Sequence, residues 1–309
     1  MSSQSGDADR PYQIERGPLL TWLVCGVCVL VFLGLSQETD SSWRAVSPYG
    51  YLSPGQIWDG MYWGLVSSVF VHRELWHLAF NVYWLWALGS LLEQALGPLR
   101  WSVFFVTAAL VSSGAQFAVP GSTGIGASGI GYAMFGYMWI ASRKDASFQR
   151  IASTQMVALF LGWLVIGMLA TFLNFMSIAN TAHVAGLAFG AGVAALFVLQ
   201  RGVRWVTAGL AGLIIASIIP LFWCPWSASW LSKQGYAAHL RGDYGTAIRY
   251  YARSIDRGGD LAWALSNMAT AYRAIGNRSK YEETLTRLRE VDEEAAQEIE
   301  EASTKEQGQ

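Results

Sequence analysis

Seven long apolar runs separated by short polar breaks occupy residues 18–36, 75–95, 100–119, 128–142, 151–173, 182–200 and 204–224. A helix needs roughly 20 predominantly apolar residues to cross the hydrocarbon core of a bilayer, so the pattern predicts up to seven membrane-spanning helices. The polar leader before the first run is mixed in charge and no small-residue cleavage site follows. That run is therefore expected to be a retained helix and not a cleaved signal. Beyond residue 230 the long runs stop and a 34-residue period takes over. Gly242-Asp243-Tyr244 is echoed by Gly276-Asn277-Arg278, Gly235 by Ala269, Ala237 by Ala271, and Tyr251 by Leu285.

Charge sharpens this division. Of 43 charged side chains, 24 lie in residues 225–309, leaving 19 for the first 224. The overall charged fraction of 14% compares with about 25% in a typical soluble domain. A net charge of −1 offers no basic footprint for nucleic acid. Three cysteines cannot build a disulfide framework, and Cys25 and Cys28 inside the first run read as small apolar fillers.

The lysines and arginines set an expected orientation. The leader holds Arg10 and Arg16; the loops after runs two, four and six hold Arg100, then Arg143, Lys144 and Arg150, then Arg201 and Arg204. Alternate loops are basic, which puts them and the N-terminus in the cytoplasm. Arg44 and Arg73 in the long first loop are a weak exception. With seven spans the C-terminus lies outside, where Trp223, Trp226 and Trp230 are expected to form an interfacial aromatic belt. If run seven does not cross, the tail is cytoplasmic.

Polar side chains at membrane depth are expensive and mark function by default. His72, His77 and Asn81 flank or open the second run, with His77 and Asn81 one turn apart on the same face; Ser128 opens the fourth and His183 the sixth. These three runs all travel from outside to inside, so the polar groups share one depth just below the outer surface. A serine, a histidine and two further hydrogen-bonding side chains at one level are the components of a serine hydrolase. Neutral imidazole can take the serine proton near pH 7. The free N–H groups of a helix N-terminus, with His77 and Asn81, can hold a developing oxyanion. Gly126 and Gly129 leave room for a substrate backbone. Taken singly, Ser128 reads as a helix cap and each histidine as a hydrogen-bonded core residue; it is their joint placement that favours chemistry.

The segments His72-Arg-Glu-Leu-Trp-His77-Leu-Ala-Phe-Asn81, Gly126-Ala-Ser128-Gly129 and Ala182-His183-Val-Ala-Gly186-Leu-Ala-Phe-Gly190 resemble the three signature segments of rhomboid intramembrane serine proteases. The resemblance spans about residues 18–200. It implies Ser128 as nucleophile and His183 as its base in a dyad without an acid, and His77 with Asn81 as the oxyanion-stabilising pair. It also implies a mainly structural His72, Tyr132 packed on the catalytic imidazole, a small-residue face at Gly186 and Gly190, and a structural Glu93. One position departs from the family pattern: Gly64 follows Trp63 where an arginine usually anchors the first loop in the lipid interface. Trp43, Trp58, Tyr62 and Trp63 are the expected substitutes.

The expected protein is an all-α polytopic membrane protein: a rhomboid-like six-helix core, a seventh transmembrane helix and a small tetratricopeptide-like helical domain. Its divisions are a cytoplasmic tail (1–17), a catalytic membrane domain (18–200), a seventh helix with linker (201–230), repeats (231–290) and an acidic polar tail (291–309), read as a frayed helix or disordered. The tail repeats could equally be a plain helical hairpin with no ligand, since two repeats fall short of the usual three. The expected activity is cleavage of helix-unstable transmembrane segments of membrane proteins in a plasma or inner membrane, with no metal or organic cofactor and a possible protein partner for the tail. Two alternatives predict other features. A silent relative that only binds transmembrane helices usually lacks the serine or the histidine, and a small transporter calls for an inverted repeat that the sequence lacks.

Overall fold

A computed structural model describes residues 17–40, 42–119 and 123–307 of the chain. Among these residues all regular structure is helical. Seven helices make up the first part: α1 (Leu19–Leu35), α2 (Leu75–Leu96), α3 (Pro98–Phe117), α4 (Ser128–Ala141), α5 (Thr154–Phe172), α6 (Asn180–Val198) and α7 (Val203–Ile218). Five more follow: α8 (Ala228–Leu240), α9 (Tyr244–Asp256), α10 (Leu261–Ala274), α11 (Arg278–Arg289) and α12 (Glu293–Gln307). The limits of the seven apolar runs match α1–α7 within a few residues. The thresholds of length and hydropathy for a membrane crossing are met by α5, α6 and the stretch Val203–Leu221, and α1 is a shorter apolar helix. The protein is an integral membrane protein. Arg10 and Arg16, invoked for its orientation, lie outside the described residues.

The centre of the membrane part is α4. It is apolar all round, as a helix enclosed by others must be, and Ile130, Ala133, Met134, Phe135 and Met138 are fully buried. Its 14 residues span about 21 Å at about 1.5 Å per residue, against a hydrocarbon core of about 30 Å. Enclosure and shortness together let one end of α4 lie beneath the membrane surface.

That depth depends on how closely α6 approaches. A methyl group placed on Gly186 would overlap the carbonyl oxygen of Gly129, and one on Gly190 that of Ala133; one on Gly136 would come within 2.5 Å of the Leu187 carbonyl oxygen. The two backbones meet directly, as small residues at membrane-helix interfaces permit. At the opposite end Glu93, near the C-terminus of α2, accepts hydrogen bonds from Leu20 N (3.1 Å), Thr21 N (2.8 Å) and Thr21 Oγ1 (2.7 Å). Its carboxylate meets the free N–H groups of α1, whose own N-cap, Pro18, offers no side-chain acceptor.

The loop between α1 and α2 folds on itself through short helical turns at Trp43–Val46, Pro54–Trp58 and Gly64–Ser67. Ser53 and Gln56 form a capping box at the second. The Gly64 departure has a packing reason: a methyl group there would stand 2.6 Å from Ile57 Cδ1 and 2.8 Å from Leu52 Cδ1. A side chain at this position would require Ile57 and Leu52 to repack. Of the four expected aromatic anchors, only Trp43 and Trp63 are exposed. Trp58 packs on Phe117 at 5.1 Å and donates its indole N–H to the Pro220 carbonyl (3.0 Å), while Tyr62 lies 5.6 Å from Phe222.

The expected tryptophan belt requires a similar correction. Trp223 is exposed, but Trp226 is half-buried and donates its indole N–H to the Ala118 carbonyl at the end of α3 (2.7 Å). Trp230 is buried with Cys224 and Leu231. A buried indole N–H needs an acceptor, and these side chains found protein in place of the lipid interface. Lys233 pairs with Asp59 at 2.5 Å, so the tail seats on the first loop. Since α3 ends and α4 begins on this side, α7 crosses the full bundle and delivers the tail to the face where Ser128 lies.

The tail helices stack as antiparallel neighbours. Tyr251 and Ala247 of α9 pack with Ala238, Ala264 and Met268, and Leu265, Ala269, Leu285 and Leu288 form the next layer. The acidic end is more ordered than expected: α12 docks on this layer by burying Ala296, with Asp292 accepting from Ala295 N at its start.

Candidate active site

Ser128 is the first residue of α4, and the N-cap is Ala127. The serine hydroxyl therefore does not cap its own helix. Its Oγ lies 2.7 Å from His183 Nε2, a bond between residues 55 apart in sequence. His183 sits in the first turn of α6, held at this distance by the backbone contact of α6 with α4. The start of α6 is in turn pinned by Gln116 of α3, whose Oε1 accepts from Ala182 N (3.2 Å).

Tyr132, one turn into α4, stacks on the His183 imidazole with ring centroids 4.8 Å apart and an interplanar angle of 25°. Its own position is set by a hydrogen bond from its hydroxyl to the Phe160 carbonyl (3.0 Å) and an edge contact with the Phe160 ring. The imidazole is thus confined by a stack on one side and a hydrogen bond at Nε2.

Facing Ser128 is the Gly126 turn. Gly126 has φ +91°, and a methyl group there would meet His77 Nε2 at 2.7 Å and His72 Nε2 at 3.3 Å. Only glycine adopts this backbone readily and leaves the space clear. The Gly126 N–H donates to the Ser68 carbonyl (3.1 Å), which ties the turn to the first loop. Asn81 is buried, and its Nδ2 donates to the His77 carbonyl one turn back (2.9 Å). His72 is fully buried; its Nδ1 donates to the Phe70 carbonyl (3.1 Å), which fixes the tautomer and leaves Nε2 as an acceptor beside His77, ring centroids 4.9 Å apart. Ser128, His183 and Tyr132 thus form one linked set, and Gly126, His77, His72 and Asn81 a second, the two joined through the turn from Gly126 to Ser128.

The first intrahelical bond of α4 runs from Gly131 N to the Ala127 carbonyl. The N–H groups of Ser128 and Gly129 are therefore left without an intrahelical acceptor, beside Ser128 Oγ. The site combines a hydroxyl bonded to an imidazole with backbone donors at a helix N-terminus. That set can activate an oxygen nucleophile and stabilise negative charge next to it.

Gln116 escaped the sequence reading. A glutamine in an apolar run is the same kind of signal as His77 or Asn81, but it lies at the end of α3, which runs opposite to α2, α4 and α6. Asn180 was missed as well. Its Nδ2 bonds the Gly167 carbonyl (3.1 Å) and Thr171 Oγ1 (2.9 Å), joining α5 to α6 three residues before His183.

Residues 59–201 match the Rhomboid domain family model. Over 183 residues the chain is 33% identical to the Rhomboid protease GlpG of Salmonella choleraesuis, of Salmonella newport and of Salmonella typhimurium, an overlap covering 58% of this chain. The chain spans 63% of the length of these relatives. This polytopic helical membrane protein is therefore similar to Rhomboid domain proteins over residues 59–201.

Proposed function

We propose that this protein is an intramembrane serine endopeptidase that cleaves the transmembrane segments of other membrane proteins through Ser128 and His183. One observation carries the reading: the 2.7 Å contact of Ser128 Oγ with His183 Nε2, at the buried N-terminus of a short central helix. The rhomboid family likeness supports the reaction class.

Ser128 Oγ attacks the scissile carbonyl carbon as its proton passes to His183 Nε2. The carbonyl oxygen takes up the electron pair and is stabilised by the Ser128 and Gly129 N–H groups, with the His77 and Asn81 side chains as further donors. Asn81 Nδ2 retains one N–H beyond the bond it makes to His77. Collapse of this intermediate breaks the C–N bond, and the His183 imidazolium returns the proton to the leaving amine. The acyl group remains on Ser128 as an ester. A water molecule, deprotonated by His183, repeats the sequence and frees the acid and the enzyme. Tyr132 keeps the imidazole in register throughout, and Gly126 admits the substrate backbone.

The substrates are membrane proteins whose transmembrane helix unwinds readily near the level of Ser128, because a peptide bond in a helix shields its carbonyl carbon from attack. The orientation places the N-terminus and the arginine-rich loops in the cytoplasm and Ser128 toward the outer face, in keeping with the alternating charge of the loops. The tail, with its 34-residue period and paired helices, is a tetratricopeptide-like module displayed on the same face and suited to a protein partner.

The test uses purified protein, its Ser128→Ala variant, a model transmembrane substrate and a fluorophosphonate probe. Wild type is expected to cut and to label, and the variant to do neither. Equal cutting by Ser128→Ala, or a folded wild type that neither cuts nor labels, overturns the proposal.

A further inference from the structure

A second polar space lies in the first loop, apart from Ser128. It is a cavity of about 580 Å³ whose wall includes Trp43, Arg44, Gln56, Trp63, Leu52 and Met61. Arg44 is the one charged side chain of its wall, and the Ser47 and Ser53 hydroxyls that also line it are engaged with Gln56. The Arg44 guanidinium has no ion pair or hydrogen bond among the described residues. Gln56 Oε1 is committed to Ser53 N (2.9 Å) and Ser47 Oγ (3.1 Å). Because a backbone N–H can only donate, this bond fixes the amide orientation and leaves the Nε2 hydrogens free. The indole N–H groups of Trp43 and Trp63 are likewise uncommitted, and no aspartate or glutamate lines the cavity. Such a set selects an anion.

The surroundings indicate which anion. The loop joins the ends of α1 and α2, where the spans leave the hydrocarbon. The rings of Trp43 and Trp63 are exposed there, as aromatic side chains at headgroup level are, and Trp43 is braced by Tyr51 at 4.9 Å. Leu52 and Met61 give the cavity an apolar wall beside the donors. A free inorganic anion has no use for that wall, whereas a phosphodiester carrying a glycerol and acyl chains matches both halves.

We propose that this cavity binds the phosphate of a membrane phospholipid, gripped by Arg44 and Gln56, with the lipid glycerol and upper chain against Leu52 and Met61. The bound lipid fastens the first loop to the bilayer at a point the buried Gly64 does not serve.

The full chain in detergent is titrated with phosphatidylglycerol, with diacylglycerol of the same chains and with inorganic phosphate, and bound species are counted by native mass spectrometry. Three variants accompany the wild type. Arg44→Ala removes the exposed guanidinium. Gln56→Glu keeps the acceptor that the capping box needs and replaces the free amide with negative charge. Arg73→Ala removes an exposed arginine of the same loop that does not line the cavity. Phosphatidylglycerol alone is expected to bind, with affinity falling about tenfold in Arg44→Ala and in Gln56→Glu, the scale of a lost charge-assisted hydrogen bond, and unchanged in Arg73→Ala. Circular dichroism checks that helicity is retained. Unchanged retention in Arg44→Ala and Gln56→Glu, an equal loss in Arg73→Ala, diacylglycerol binding as well as phosphatidylglycerol, or inorganic phosphate binding with the same Arg44 dependence each overturns the proposal.

Discussion

At the scale of single residues the site is held by contacts of two kinds, polar bonds that fix an atom and ring contacts that fix a plane. Tyr132 supplies both, stacking on His183 and bonding Phe160. Replacement by phenylalanine keeps the stack, and kcat/KM toward a transmembrane substrate is expected to fall only a few-fold. Tyr132→Ala removes the plane and lowers kcat/KM by about tenfold or more, the scale of a lost aromatic contact. Equal effects in steady-state assays would show that the hydroxyl and not the ring matters. Much at this scale was legible beforehand, because a histidine, an asparagine or a serine in an apolar run stands out against the cost of burying it. The partner of each group was not legible. Nothing in the chain pattern indicates that Asn81 donates to His77, that Ala127 and not Ser128 caps α4, or that Gln116 holds α6.

Helices are positioned by what their surfaces lack. The α4–α6 contact is made of glycine faces, so Gly190→Val forces a side chain onto the Ala133 carbonyl. Overpacking of this kind costs about 1–3 kcal/mol. The variant is expected to melt earlier in detergent and to lose probe labelling by more than its stability loss explains, since separating α4 from α6 also separates Ser128 from His183. In the tail, His239 of α8 has its pKa lowered below the ordinary value by partial burial against Tyr244 and Tyr251. The unfolded state then binds more protons than the folded state, so stability is lost as pH falls below about 6.5, the ordinary histidine value. Amide exchange across α8–α10 in the full chain should quicken between pH 7.5 and 5 once corrected for intrinsic rate, and His239→Gln should flatten this dependence. The helix limits were readable from apolar runs, whereas the docking of α12 was not, because one buried alanine in an acidic segment gives almost no pattern.

For the whole molecule, the decisive feature is the seat of the tail on the first loop. Two contacts reach that loop, the Lys233–Asp59 ion pair and the Trp58 indole bond to the Pro220 carbonyl, while the Trp226 indole ties the same linker to Ala118 at the end of α3. Exposed pairs contribute up to about 1 kcal/mol and often nothing, while a buried carbonyl deprived of its donor costs about 1–3 kcal/mol. Lys233→Ala should therefore leave amide exchange of residues 54–70 near the wild-type rate, and Trp58→Phe, which leaves the buried Pro220 carbonyl without its donor, should raise it measurably. The reverse order would mean that charge and not the indole bond seats the tail.

Sequence alone determined that the chain is a helical membrane protein, where its spans lie and which polar residues are candidates for chemistry. These follow from local costs, the length of an apolar run and the penalty for a polar group in lipid, and local costs are written residue by residue. Tertiary structure decided the rest: that Ser128 and His183 come within 2.7 Å, that Gly64 is a packing position, that Trp226 and Trp230 face protein, and that the tail shares the Ser128 face. Each depends on which surfaces meet across tens or hundreds of residues, and a period or a hydropathy run carries no record of its distant neighbour.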